Sequence, residues 1–135
     1  MKNTLLLFLS FILVLSCSND DDKKTTSNSE IIGTWKLIEV YADPGDGSGD
    51  FVSVESDKVI TFNTNGTINS NADLCILFSD SGALSSGTFS ETEMTITIAD
   101  CDTSPSTVFF EIDGANLILS YVCIEGCQEK YSKEE

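Results

Sequence analysis

Asp46, Ser48 and Asp50 stand at alternate positions in YADPGDGSGDF, residues 41–51, and Asp57 follows eleven residues after Asp46. Oxygen-bearing side chains at that spacing suit a hard cation: a calcium loop takes ligands at alternate positions and closes with a carboxylate at its twelfth. Calcium held by Asp46, Ser48, Asp50 and Asp57 is therefore one expectation. Three features oppose it. Phe51 stands where such a loop needs glycine, an aspartate replaces the bidentate glutamate, and no helical pattern flanks the stretch. The competing expectation is a well-solvated lid.

Other candidate chemistry is sparse. Glu91 with Glu93, and Asp100 with Asp102, are carboxylate pairs of the kind used in acid–base work, yet nothing separates them from solvated surface charge. The chain contains no histidine, which excludes Ser-His-Asp and Cys-His nucleophile pairs and histidine-containing zinc sites. Its glycines at 45–49 precede neither a Lys-Ser/Thr pair nor a helix, so they form no phosphate loop. No enzyme is expected. Twenty-two Asp and Glu face seven lysines and no arginine, giving a net charge of -15. Nucleic acid and anionic lipid surfaces both require a basic footprint and are poor partners. Cations, neutral molecules and basic proteins are compatible ones.

The N-terminal stretch MKNTLLLFLSFILVLSC carries Lys2 and an apolar run from Leu5 to Leu15, the form of a secretory signal and too short for a permanent span. Its ending, LVLSC, resembles the lipobox of bacterial lipoproteins, where the cysteine is acylated and becomes the first mature residue. That resemblance implies cleavage after Ser16 and an anchor in outer-membrane lipid through acylated Cys17. The alternative is an ordinary signal with a chance cysteine. The polar segment that follows, CSNDDDKKTTSNSE, reads as a tether. Its SNDDD is similar to the acidic export tag of surface lipoproteins in one Gram-negative phylum, which implies a cell-surface location. The expected division is a signal over 1–16, a tether over 17–29 and one monomeric domain over 30–135.

An exported domain with four further cysteines (Cys75, Cys101, Cys123 and Cys127) is expected to form two disulfides. Cys123 and Cys127 flank the short link IEG and could bridge that hairpin, which leaves Cys75 with Cys101. Pairing Cys75 with Cys123 and Cys101 with Cys127, or Cys75 with Cys127 and Cys101 with Cys123, stays open, as does a four-thiolate zinc site.

The elements that must position these groups are strands. MTITIA (94–99) alternates strictly, with Met94, Ile96 and Ile98 on one face; TVFFEI (107–112) does the same with Val108, Phe110 and Ile112. Turn residues at 63–67, 90–93 and 113–116 separate the runs. About eight strands are predicted, over 34–41, 58–63, 66–72, 84–90, 93–100, 106–112, 116–123 and 127–133. Hairpin-length links favour an all-β, antiparallel up-and-down order, and eight such strands can close into a barrel; an open sandwich is the alternative.

IIGTWKLIEVY opens the first strand with Gly33-Thr34-Trp35, which looks like the Gly-x-Trp signature of lipocalins. KVITFNTNGTI, GTFSETEMTITI and NLILSY are similar to the lipocalin-like domains of exported bacterial lipoproteins, so the resemblance covers residues 31–133. It implies that Trp35 plugs the closed end of the barrel. In lipocalins an arginine packs over this tryptophan; the chain has none, and Lys130 is the expected substitute, stacking a cation on the indole.

In this order, the loops at 42–57, 73–83, 101–105 and 124–126 gather at the end opposite Trp35, the mouth, with Asp43, Asp80, Asp100 and Glu125 among the carboxylates of its rim. The leading expectation is a module that binds a small apolar or amphipathic molecule at the mouth, touching Tyr41, Phe51, Leu74, Ile76 and Phe78. The alternative is a protein-interaction, accessory or inhibitory module of the cell surface. The apolar stretch LCILF (74–78) supports it as an exposed patch, unless that stretch tucks over the mouth.

Overall fold

The computed structural model describes residues 29–99, 101–102, 106–124 and 126–135. Among the described residues, nine strands form one antiparallel sheet: β1 (Gly33–Ala42), β2 (Phe51–Ser53), β3 (Val59–Phe62), β4 (Thr67–Ala72), β5 (Ser81–Ser90), β6 (Thr95–Ile98), β7 (Ser106–Asp113), β8 (Asn116–Ser120) and β9 (Cys127–Lys133). From β3 to β9 each strand pairs with the next. β1 then pairs with both β3 and β9, so eight strands close into an up-and-down barrel. The short β2 adds to the far half of β1, opposite Glu39 to Tyr41. Closure removes the long free edges that an open sheet would expose.

Alternation builds the interior. Ile60 and Phe62, Ile68 and Ala72, Ile96 and Ile98, Val108 and Phe110, and Leu117 and Leu119 all face inward and are buried. Aromatic rings fill the centre: Phe62 meets Phe89 and Phe110 edge-on at 5.1 and 5.9 Å between centroids. Gly87 lets β5 and β6 approach closely, since a Cβ there would lie 2.2 Å from the Thr97 carbonyl oxygen.

Three boundaries differ from the sequence reading. The stretch 42–57 contains β2, whose three residues are too short to show a period. β5 starts at Ser81, ahead of its apolar residues, because Ala72 pairs with Ser81. Met94 does not share the buried face of Ile96 and Ile98. It sits in the turn before β6, at φ 54°, and is 39% exposed.

A bulge in β1 has the largest consequence. Leu37 pairs with Tyr131 and Glu39 with Lys130, so Ile38 is an extra residue and the alternation changes phase there. Trp35 and Leu37 face the core before the bulge; Val40 packs against it afterwards.

A plugged mouth above a buried ion pair

At the closed end, the indole N–H of Trp35 donates to the Ile31 carbonyl at 2.8 Å, and both residues are buried. The cation over the indole is Lys133, with Nζ 5.2 Å from the ring, and not Lys130. Strand phase is the reason. Glu129, Tyr131 and Lys133 share the inward side of β9, and Trp35 lies directly opposite Lys133. Lys133 also donates to the Glu30 carbonyl at 2.6 Å. Its stem crosses Gly33, where a Cβ would come within 3.0 Å and where φ is +130°. The first residue of Gly-x-Trp is thus constrained by both space and backbone.

Lys130 points outward. It pairs with Glu39 and sits 3.8 Å above the Phe51 ring, which in turn meets Tyr41 at 5.4 Å between centroids. Tyr41 and Phe51 were expected at the mouth; the β1 bulge turns them to the outer wall. There, built Cβ atoms on Gly49 and Gly126 would lie 2.7 and 2.6 Å from the Tyr41 ring, so both backbones press against it.

The acidic loop is self-contained. Asp43 Oδ1 accepts hydrogen bonds from the N–H groups of Gly45, Asp46 and Gly47 at 2.7, 3.2 and 3.1 Å. The Gly45 N–H foremost, with those of Gly47 and Gly49 and the Tyr41 hydroxyl, holds its carboxyl below the usual aspartate range. Asp46 accepts from the Ser48 N–H at 2.9 Å, and Asp50 from the Phe51 N–H at 2.8 Å. Asp57 lies apart, 3.7 Å from Lys36. Among the described residues no group of three or more Cys, Asp or Glu could hold a metal ion. The proposed calcium ligands are therefore not assembled: the loop folds as a set of Asx turns against Tyr41.

The mouth itself is filled by the 73–80 connection. Leu74 is fully buried, Ile76 is 58% exposed, and Phe78 is 39% exposed with φ 59°. Cys75 is bonded to Cys101, and Cys123 to Cys127, in two disulfides. Beneath this plug lies a feature absent from the sequence reading. Lys58 and Glu129, both with fully buried side chains, form an ion pair at 2.8 Å. Glu129 Oε1 also accepts the Phe78 N–H at 3.0 Å, and Oε2 accepts the hydroxyls of Tyr121 and Tyr131 at 2.9 and 2.6 Å. Lys58 donates a second bond to Ser79 Oγ at 3.3 Å. Burial, reinforced by the Glu129 charge, pushes both phenols well above their usual value; for Tyr131 the neighbouring Tyr121 adds to it. Among the described residues no buried side-chain nitrogen or oxygen lacks a partner.

Strand phase offered the signal that was missed. Lys58 precedes inward-facing Ile60 by two, and Glu129 precedes inward-facing Tyr131 by two. Two opposite charges at inward positions of a barrel imply each other.

Beside the plug, a cavity of about 320 Å³ is lined by the apolar side chains of Leu37, Val40, Val54 and Phe78 and by Glu55, Ser56, Ser79 and Asp80. A second cavity of about 420 Å³ lies at the closed end between Ile31, Met94, Phe110 and Ile112. Of the expected mouth contacts, Phe78 lines the first cavity, Leu74 belongs to the core and Ile76 faces solvent. Cys17, Asp100 and Glu125 lie outside the described residues.

Comparison with protein families matches residues 31–135 to the lipocalin-like domain. No curated protein and no solved structure gives a significant match. Barrel closure, the Gly33–Trp35 base and this match agree, and the chain belongs to the lipocalin-like domain family.

Proposed function

We propose that this protein is a lipid-anchored lipoprotein of the cell envelope whose barrel binds a small apolar or amphipathic molecule at its mouth, without catalysis. One observation carries the binding role: the cavity of about 320 Å³ lined by Leu37, Val40, Val54 and Phe78 together with four polar residues. Glu129, the only buried carboxylate among the described residues, already accepts four hydrogen bonds and is poorly placed to take a substrate proton. Anchoring rests on the lipobox-like LVLSC and on Cys17.

Fluorescence titration with phenylnaphthylamine, a neutral apolar dye, tests the binding role. Saturable enhancement is expected, weakened about tenfold by Val54→Trp, which fills the cavity. Absence of saturable binding, or indifference to the substitution, overturns it. For the anchor, Cys17→Ala is expected to release the protein from membranes; retention refutes lipidation.

A second reading, a surface that receives a basic protein, draws on Val122 and Ile124. They are 82% and 101% exposed in the loop before β9, at the mouth end with Ile76. A saturable dye site indifferent to Val122→Ser and Ile124→Ser would favour the first reading over this one.

A further inference from the structure

The 73–80 connection does more than close the barrel. Phe78 and Ser79 supply one donor and one acceptor to the buried ion pair: the Phe78 N–H reaches Glu129 at 3.0 Å, and Ser79 Oγ receives Lys58 at 3.3 Å. Phe78 holds φ 59° to do so, a backbone region that aromatic residues rarely enter. The same two residues line the mouth cavity together with Leu37, Val40 and Val54. Phe78 and Ser79 therefore touch both the cavity and the ion pair, Phe78 with an apolar ring and a polar N–H, Ser79 with its hydroxyl.

We propose that Phe78 and Ser79 are an internal stand-in for the polar head of the ligand, and that the ligand is an uncharged amphiphile with a hydrogen-bond donor and acceptor side by side, as in a primary carboxamide. The inference rests on the mouth-binding reading above. When the two residues withdraw, Lys58 and Glu129 each lose a partner in a dry interior, where an unmet polar group is strongly unfavourable. A plain hydrocarbon restores neither bond. A carboxylate head would bring a second anion against Glu129, and an ammonium head a second cation against Lys58, when the pair is already balanced. A carboxamide sets its carbonyl oxygen towards Lys58 and its N–H towards Glu129, repeating the pattern that Ser79 and Phe78 provide. Its hydrocarbon then lies along Leu37, Val40 and Val54, in a space of about ten water volumes.

The test is an amide-resolved NMR titration of the full chain with hexanamide, hexanoate and hexylammonium, which share a chain length and differ in head group. Hexanamide is expected to bind about tenfold more tightly than either ion and to move the Phe78 amide resonance as it saturates. Ser79→Ala, which deprives Lys58 of its internal acceptor, is expected to strengthen hexanamide binding severalfold and to leave the two ions unchanged; the Ser79 hydroxyl also donates to the Asp73 carbonyl, and a merely structural loosening of the connection would strengthen all three probes alike. Equal binding of the three probes, or hexanamide binding that leaves Phe78 unmoved and Ser79→Ala without effect, overturns the head-group inference while phenylnaphthylamine binding keeps the mouth site. Failure of every probe, the dye included, overturns both.

Discussion

Replacing Lys58 with methionine keeps an unbranched side chain one atom shorter and removes the charge. Glu129 then stays in the barrel interior with no counter-ion, since its side chain is fully buried and the strands on either side hold it there. Breaking one side of a buried ion pair costs about 3–5 kcal/mol. Urea unfolding measures the loss, read through the fluorescence of Trp35, which is buried at 2% exposure and is the single tryptophan of the chain. With a slope of about 1.5 kcal/mol per molar urea, the midpoint falls by roughly 2–3 M. Adding Glu129→Gln to the same variant should recover part of this. Glutamine keeps a carbonyl oxygen for Tyr121 and Tyr131 and turns its amide towards the Phe78 N–H, so one donor is orphaned, at about 1–3 kcal/mol. The double variant is therefore expected to be more stable than Lys58→Met alone. A loss below about 1 kcal/mol for the single variant, the range of exposed ion pairs, would refute the buried pair. So would a double variant whose loss equals the sum of the two singles.

Trp35→Ala empties the closed end and is expected to cost about 3–5 kcal/mol in urea unfolding followed by far-ultraviolet circular dichroism, because the substitution removes the chain's single tryptophan. Gly87→Ala places a methyl against the Thr97 carbonyl oxygen, so β5 and β6 must separate; faster amide exchange at Thr88 and Thr97 is the expected readout. Alkali should destabilise the barrel. Tyr121 and Tyr131 titrate well above the usual tyrosine value, so below about pH 10 folded and unfolded chains hold the same phenolic protons. As the pH rises beyond that, the unfolded chain sheds protons that the folded barrel retains, and stability falls until the folded phenols ionise. A urea midpoint that stays flat from about pH 9 to 11 would refute this.

Much of the fold was legible because a half-buried strand writes itself as alternation. MTITIA and TVFFEI located β6 and β7 on the strength of Ile96, Ile98, Val108 and Phe110, although Met94 fell outside the buried face. What failed to show was any event that breaks the period. The extra residue at Ile38 leaves no mark in GTWKLIEVYA, yet it sends Tyr41 outward, and Phe51 follows as its register partner. The candidate site was legible only in outline. Loop length located the mouth, and the apolar run LCILF marked the segment that covers it. The carboxylates of 43–50 drew attention as ligands because composition cannot distinguish an oxygen aimed at a cation from one aimed at its own backbone. Lys58 and Glu129 were readable by phase alone, and were hidden because charged residues are assumed to face water.

The pairing of β1 with β9 is the seam of the barrel, and it joins the two ends of the domain: Glu39 and Lys130, which pair across it, are 91 positions apart. Contacts of this separation slow folding, because the entropy of closing the chain is lost before the contact returns any energy. Until the last strand is available, β1 and β8 each display an open hydrogen-bonding edge, the condition under which chains pair with one another rather than with themselves. For this protein the hazard is thus one of timing. Shortening the chain within Cys127–Lys133 should raise the fraction lost to aggregation during refolding far more than it changes the strands already formed, and dilution should rescue the full chain but not the shortened one.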